Sequence, residues 1–146
     1  MTTETFDAAA WEDQLIADIR ANGGRPSGGP LAGQPILLMF TTGARTGERR
    51  RSILTFSRDG DALVVAGTAS GAKVDPAWIA NVARNPMVEL EVENETYGAT
   101  AALHRHGPER DRLWNQHVEQ LPWFGKYPEQ ITERVIPVVR ITPKLG

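Results

Sequence analysis

The chain has 146 residues, a formal net charge of −2 and no cysteine. A general nucleic-acid binder would carry a basic balance, and the absence of cysteine excludes disulfides, thiolate metal sites and a cysteine nucleophile. Met1-Thr2-Thr3-Glu4 lacks the basic and apolar regions of a secretory signal, and no apolar run is long enough to span a bilayer, so a cytosolic protein is expected.

From about Phe6 to Asn22 the spacing predicts a helix, with Trp11, Leu15 and Ile19 on one face and Gly23-Gly24 as its stop. The Gly- and Pro-rich stretch 23–33 has few anchors and reads as a linker. The chain thus divides into a helix and linker over 1–32 and a β-rich cofactor-binding domain over 33–146. The helix is expected to pack on that domain; a lid, or a surface anchor making peripheral membrane contact, is the alternative.

Ile36 to Thr41 is the first strand and Arg49 to Ser57 the second, with a glycine turn between them. Arg58-Asp59-Gly60-Asp61 is a hairpin turn into a third strand, Ala62 to Ala66. A loop of small residues, Gly67 to Ala72, leads to a helix for which Asp75 is the expected N-cap and Pro76 the first helical position. That helix carries Trp78, Ile79 and Val82 and ends at Asn85-Pro86. Val88, Leu90 and Val92 alternate with Glu89, Glu91 and Glu93, the pattern of a half-buried strand. After a turn at Asn94-Glu95 come a strand from Thr96 to His104, a helix from Pro108 to Leu121 and a last strand from Ile136 to Ile141. Six strands with one short helix after the third do not match βαβ alternation. They fit a mainly β, α+β architecture: an antiparallel barrel capped by helices.

TTGARTGERRRS, Thr41 to Ser52, gathers Arg45, Arg49, Arg50 and Arg51 against Glu48 alone. Alternation puts Arg50, Ser52 and Leu54 on one face and Arg49, Arg51, Ile53 and Thr55 on the other. Gly43 and Gly47 let backbone N–H groups approach a ligand, and arginines beside exposed donors suit a phosphate or carboxylate. A solvated hairpin with surface charges explains the same residues equally well.

That turn, together with RDGDALVVAGTASGAKVDPAWIANVARNP and ERVIPVV, resembles the deazaflavin-dependent nitroreductase family from about Gly33 to Pro143. These are split β-barrel proteins, similar to FMN-binding barrels, that use the deazaflavin coenzyme F420. The resemblance implies that Arg45, Thr46 and Gly47 hold the coenzyme's phosphate region, with Arg50 as a further anion contact. Ser52, Ile53 and Leu54 would run under the deazaflavin ring, Ala66, Gly67 and Thr68 would touch it from the next strand and loop, and Trp78 and Asn81 would reach it from the following helix. Trp78 is equally suited to the core. Well-known members carry a lysine just after the Thr68 position, where this chain has Ala69, so Lys73 or Arg49 would have to substitute. Some carry a tyrosine where this chain has Thr55, which implies a different substrate pocket.

Such a coenzyme transfers hydride, so neither a catalytic side chain nor a metal is expected of the protein. His104 and His106 would share a strand face but have no third ligand in the sequence, and His117 has no evident partner. Trp123, Phe124 and Tyr127 lie between Pro122 and Pro128 and are expected in a loop. They either seal the core or, with Thr55, wall a flat acceptor such as a quinone or nitroaromatic. The expected activity is an F420-dependent reductase acting on a small molecule. The alternatives are an FMN-binding split barrel or a non-catalytic carrier of deazaflavin or lipid. RNA binding through Arg49 to Arg51 is disfavoured by charge and by the lack of interleaved aromatics.

Overall fold

A computed structural model describes residues 8–29 and 31–144; the expected start of the first helix at Phe6 lies outside them. The helices are α1 (Ala8–Ala21), α2 (Ala77–Arg84), α3 (Pro108–Gln120) and α4 (Tyr127–Gln130). The strands are β1 (Ile36–Thr42), β2 (Arg49–Thr55), β3 (Ser57–Asp59), β4 (Ala62–Ala66), β5 (Met87–Val92), β6 (Glu95–His104) and β7 (Val138–Pro143). They form one antiparallel sheet in the order β2-β1-β5-β6-β7-β4-β3.

The register follows the apolar alternation. Leu37 lies opposite Leu54 and Val92, and Met39 opposite Ser52 and Leu90. A slip of one residue would turn this whole set outward. On that face Leu37, Met39, Leu90 and Val92 join Leu63, Val65, Val139 and Ile141, and α2 covers them with Trp78, Ile79 and Val82. The opposite face of β4 and β7, with Val64, Ala66 and Val138, packs on Leu113 and Trp114 of α3 and on Phe124 and Tyr127.

Several elements differ from the sequence reading. The second strand breaks at Phe56, which is buried and whose N–H bonds to Pro35 O at 3.1 Å. Residues 57–59 then pair with 62–64, giving seven strands where six were expected. Because β2 and β3 adjoin in the chain but end opposite sides of the sheet, the sheet curls into a half-barrel. Asp75 does not cap α2: its carboxylate is taken by Arg134 at 2.9 Å and Arg105 at 3.0 Å, and the helix starts after Pro76. The aromatic segment is not an open loop but a 3₁₀ turn, Pro122–Lys126, running into α4. In α1 the buried residues are Ile16 and Ile19, with Leu15 half-buried and Trp11 half exposed. The linker is well anchored. Asp18 accepts bonds from Ser27 N–H at 2.8 Å and Ser27 Oγ at 2.6 Å, and Gly24 lies so close to Glu93 that a Cβ would stand 2.9 Å from its Cα. Arg20 forms a two-pronged ion pair with Glu91 of β5.

Two buried or half-buried polar groups tie α3 to the sheet. Asp59 of β3 receives Arg112 at 3.0 and 2.9 Å and Arg140 of β7 at 2.8 Å. These bonds, Arg112 first, hold its carboxyl well below the ordinary carboxylate range. His117, expected to lack a partner, is fully buried with its Nδ1 2.6 Å from Ser57 Oγ and the Phe124 ring edge-on to it. Burial lowers its pKa from 6.5 to about 4. Between those values the unfolded chain takes up a proton that the folded chain does not. Stability due to neutral His117 is therefore complete above pH 6.5 and is lost as pH falls toward 4. The Asp59 contribution is lost only below the ordinary carboxylate pKa of about 4. Urea unfolding at stepped pH should show a loss of at most about 3 kcal/mol in the upper window. His117→Gln should be less stable at neutral pH but flat across that window; an unchanged slope would assign the loss to other groups.

Candidate cofactor-binding site

The arginine-bearing turn between β1 and β2 is fixed by its own backbone and by one side chain from α2. Gly43 N–H bonds to Glu48 O at 2.7 Å and Gly47 N–H to Gly43 O at 2.9 Å. Gly47 takes a φ of 73°, and a Cβ on Gly43 would lie 3.0 Å from Thr46 Oγ1, so both glycines have a backbone reason. Asn81 is buried; its Oδ1 accepts Ala44 N–H at 2.9 Å while its Nδ2 donates to Thr41 Oγ1 at 3.1 Å.

The turn, β2 and α2 enclose a cavity of about 610 Å³ lined by Arg45, Thr46, Arg50, Arg51, Ser52, Trp78 and Asn81, among others. Beyond it lies a second cavity of about 280 Å³, lined by Ile53, Leu54, Thr55, Ala66, Thr68, Trp78, Trp123 and Tyr127 together with Leu31, Ala69, Ser70 and Phe124. Trp78 lines both, so the two cavities adjoin at that residue, the first cationic and the second aromatic; together they are called the cleft below. Trp78 is also buried in the core, the alternative role expected for it.

Two expected residues do not line the cleft. Gly47 faces a separate depression of about 340 Å³ with Phe40, Arg49 and Lys144. Gly67 is packed into the fold, where a Cβ would meet Pro137 at 2.9 Å and Ile79 at 3.1 Å. Neither proposed substitute for the missing lysine lines the cleft: Arg49 pairs with Glu89 at 2.8 Å and lies over the Phe40 ring, while Lys73 is 82% exposed beside Glu133.

The four arginines differ in what occupies them. Arg50 meets Glu48 at 3.1 Å, and Arg51 meets Glu12 and Asp13 of α1 at 3.5 and 3.2 Å. Arg45 has no hydrogen-bond or ion-pair partner among the described residues, so its five donors are open to an incoming anion. Alternation had put Arg51 on the far face; β2 is an edge strand, and from there the side chain reaches the cleft. Leu31 could not be foreseen, because only the folded linker brings it to the aromatic end.

At that end Tyr127 is buried and its hydroxyl pKa is raised by burial, partly offset by a hydrogen bond with the Thr68 side chain. Trp123 is half-buried, and its indole N–H donates to Gln34 Oε1 at 3.3 Å. Another depression of about 380 Å³, beside Arg25, Ser57 and Gln120, holds none of the expected residues. No cluster of three His, Asp or Glu among the described residues is placed to hold a metal, and no described helix is long and apolar enough to cross a membrane.

A curled antiparallel half-barrel whose helix-covered face carries arginines beside one cavity and aromatic rings beside the next is a split-barrel protein with room for an anionic, flat ligand. Comparison narrows the class. The chain belongs to the F420H(2)-dependent quinone reductase family, whose model matches residues 13–143. It is 37% identical over 110 residues to an F420H(2)-dependent quinone reductase of Mycobacterium tuberculosis, covering 74% of this chain and 73% of that one. An F420-H2 dependent reductase of known structure superposes with a TM-score of 0.65 at 30% identity, covering 73% of this chain and 93% of its own. A chain solved as a domain-swapped dimer superposes with a TM-score of 0.67 at 26% identity, covering 92% and 99%.

Replacing Arg45 or Arg50 by Ala should weaken binding of F420 roughly 10- to 100-fold, the loss expected for hydrogen bonds to a charged group. Melting temperature should hold, because both side chains are exposed. Arg49→Ala, on the far side of the turn, should bind as the parent does. Fluorescence titration checks all three; equal affinity for all would make the turn a solvated hairpin.

Proposed function

We propose that this chain passes hydride from reduced coenzyme F420 to a flat, apolar quinone held at the aromatic end of the cleft, with nitroaromatics of similar shape as secondary acceptors. The observation that carries this reading is that an arginine-lined cavity and an aromatic-lined cavity adjoin at Trp78, which lines both. An arginine-lined end matches a phosphate and a carboxylate tail, since guanidinium forks fit those oxygens. The apolar end, with Ile53, Leu54 and Trp78, matches a flat ring system. The residues present therefore fit the coenzyme that the family uses.

Each element then has a task. Arg45 and Arg50 hold the anionic groups, with Arg51 beside them tied to Glu12 and Asp13. Asn81 keeps the turn backbone in place, so these side chains work from a fixed base. Reduced F420, when bound, supplies the hydride. Leu31, Phe124 and Trp123 limit water around the ring, and an excluded site strengthens every polar contact inside it. Tyr127 keeps its proton at neutral pH, because burial raises its pKa, and so presents an O–H beside Thr68 at the acceptor end. Thr55, a small residue on the cavity wall, leaves room for the acceptor.

The test is a side-by-side titration with F420 and FMN, followed by turnover of menadione with F420H2. F420 should bind more tightly, because FMN has no acidic tail for the arginines, and menadione should be reduced. Tight FMN binding without F420 binding would reject the reading. Trp123→Ala should raise KM for menadione with little change in melting temperature, since the ring is only half-buried. Tyr127→Ala should lower the melting temperature as well, because that ring is part of the second core.

A further inference from the structure

The wall of the aromatic end includes a loop whose conformation is costly by itself. Ala69 and Ser70 take φ values of 47° and 55°, in the left-handed region that alanine and serine avoid. Both residues, with Thr68, line the cavity. Within the loop only two backbone bonds hold this shape: Gly71 N–H to Thr68 O at 2.9 Å and Ala72 N–H to Ala69 O at 3.1 Å. A single turn so held would not keep two strained residues in one conformation.

The remaining restraint comes from Arg134, far along the chain and just before β7. Its Nη1 donates to Gly67 O at 2.8 Å and to Asp75 Oδ1 at 2.9 Å. Its Nη2 donates to Thr68 O at 3.1 Å and Ala72 O at 3.0 Å, and its Nε to Ala72 O at 3.2 Å. These five bonds match the five N–H donors of a guanidinium. They gather the carbonyls on both sides of Ala69–Ser70 and the carboxylate that ends the loop. The side chain is only 12% exposed, and Arg105 holds Asp75 in turn at 3.0 Å. On the cavity side Thr68 and Tyr127 line the same wall.

We infer that Arg134 is the positioning residue of the acceptor end of the cleft. Arg134 itself lines neither cavity of the cleft; it acts through the loop, fixing Thr68, Ala69 and Ser70 as a rigid wall for a flat acceptor. The inference rests on the quinone reductase reading for what the wall contacts, but not for the restraint itself. Lysine cannot replace it, because a point ammonium has three donors and no planar fork to span four acceptors.

The test combines hydrogen exchange of the protein without ligand and steady-state kinetics, both well below the melting temperature, on Arg134→Ala and Arg134→Lys. Amides of residues 68–75 should exchange at least about 10-fold faster in both variants, the effect of losing one charge-assisted hydrogen bond or more, with β4 and β7 amides unchanged. KM for menadione should rise by about the same factor while kcat stays within about threefold. Should Arg134→Ala not fold, Arg134→Lys is read in the same way. Unchanged loop exchange, or full rescue by lysine, would overturn the inference. Equal acceleration in β4 and β7 would also overturn it, by showing a role in the whole fold. If the loop responds but the parent does not reduce menadione, the restraint stands and the quinone reading falls.

Discussion

The cleft depends on one amide. Asn81 uses its oxygen on the Ala44 N–H and its nitrogen on the Thr41 hydroxyl, bridging the end of a strand and the turn that follows it. Without that bridge the turn would hang from β1 and β2 by its own two backbone bonds. With it, the backbone under Arg45 and Thr46 is fixed to α2, which is itself fixed in the core by Ile79 and Val82. One helical turn before Asn81, the same helix sends Trp78 to the junction of the two cavities. Helical spacing thus puts the residue that fixes the cationic end and the residue that joins it to the aromatic end on one face of α2.

The charges around the cleft follow a similar division. Arg49 and Arg51 are engaged by Glu89 and by the acids of α1, whereas Arg45 is not engaged by any described residue. Exposed ion pairs contribute little stability. Their greater effect here is to occupy two guanidinium groups and leave a third open beside a fixed backbone.

Much of the fold was legible because near neighbours decide it. The alternation of Val88, Leu90 and Val92, the turn that follows (expected at Asn94-Glu95, found one residue earlier) and the hairpin around Gly60 all depend on residues within a few positions. What was not legible depends on distant partners. Pro35 O fixes the break at Phe56, Arg134 and Arg105 draw Asp75 away from capping α2, and Ser57 meets His117 from another element. The cleft shows the same split. The turn motif marked Arg45, Thr46 and Arg50, and the helix segment after it Asn81, through a family resemblance, while Leu31 and Arg51 reach the cleft only because the linker folds back and β2 is an edge. Gly47 and Gly67, expected at the site, do not line the cleft: the first serves a positive-φ turn and the second a close approach to Pro137 and Ile79.

The sheet order has a consequence for assembly. The β3–β4 hairpin is joined to the rest of the sheet only through β7, which pairs with β4 on one side and β6 on the other. Ala66 and Thr68, on and after β4, therefore cannot take their final place opposite Ile53 and Leu54 until residues 138–143 have been synthesised. During translation the strands of the cationic end come early and can pair as a local hairpin, while the far wall waits for the last strand. Closing so long a loop is a slow step for a growing chain. The cleft is thus completed from its cationic end toward its aromatic end.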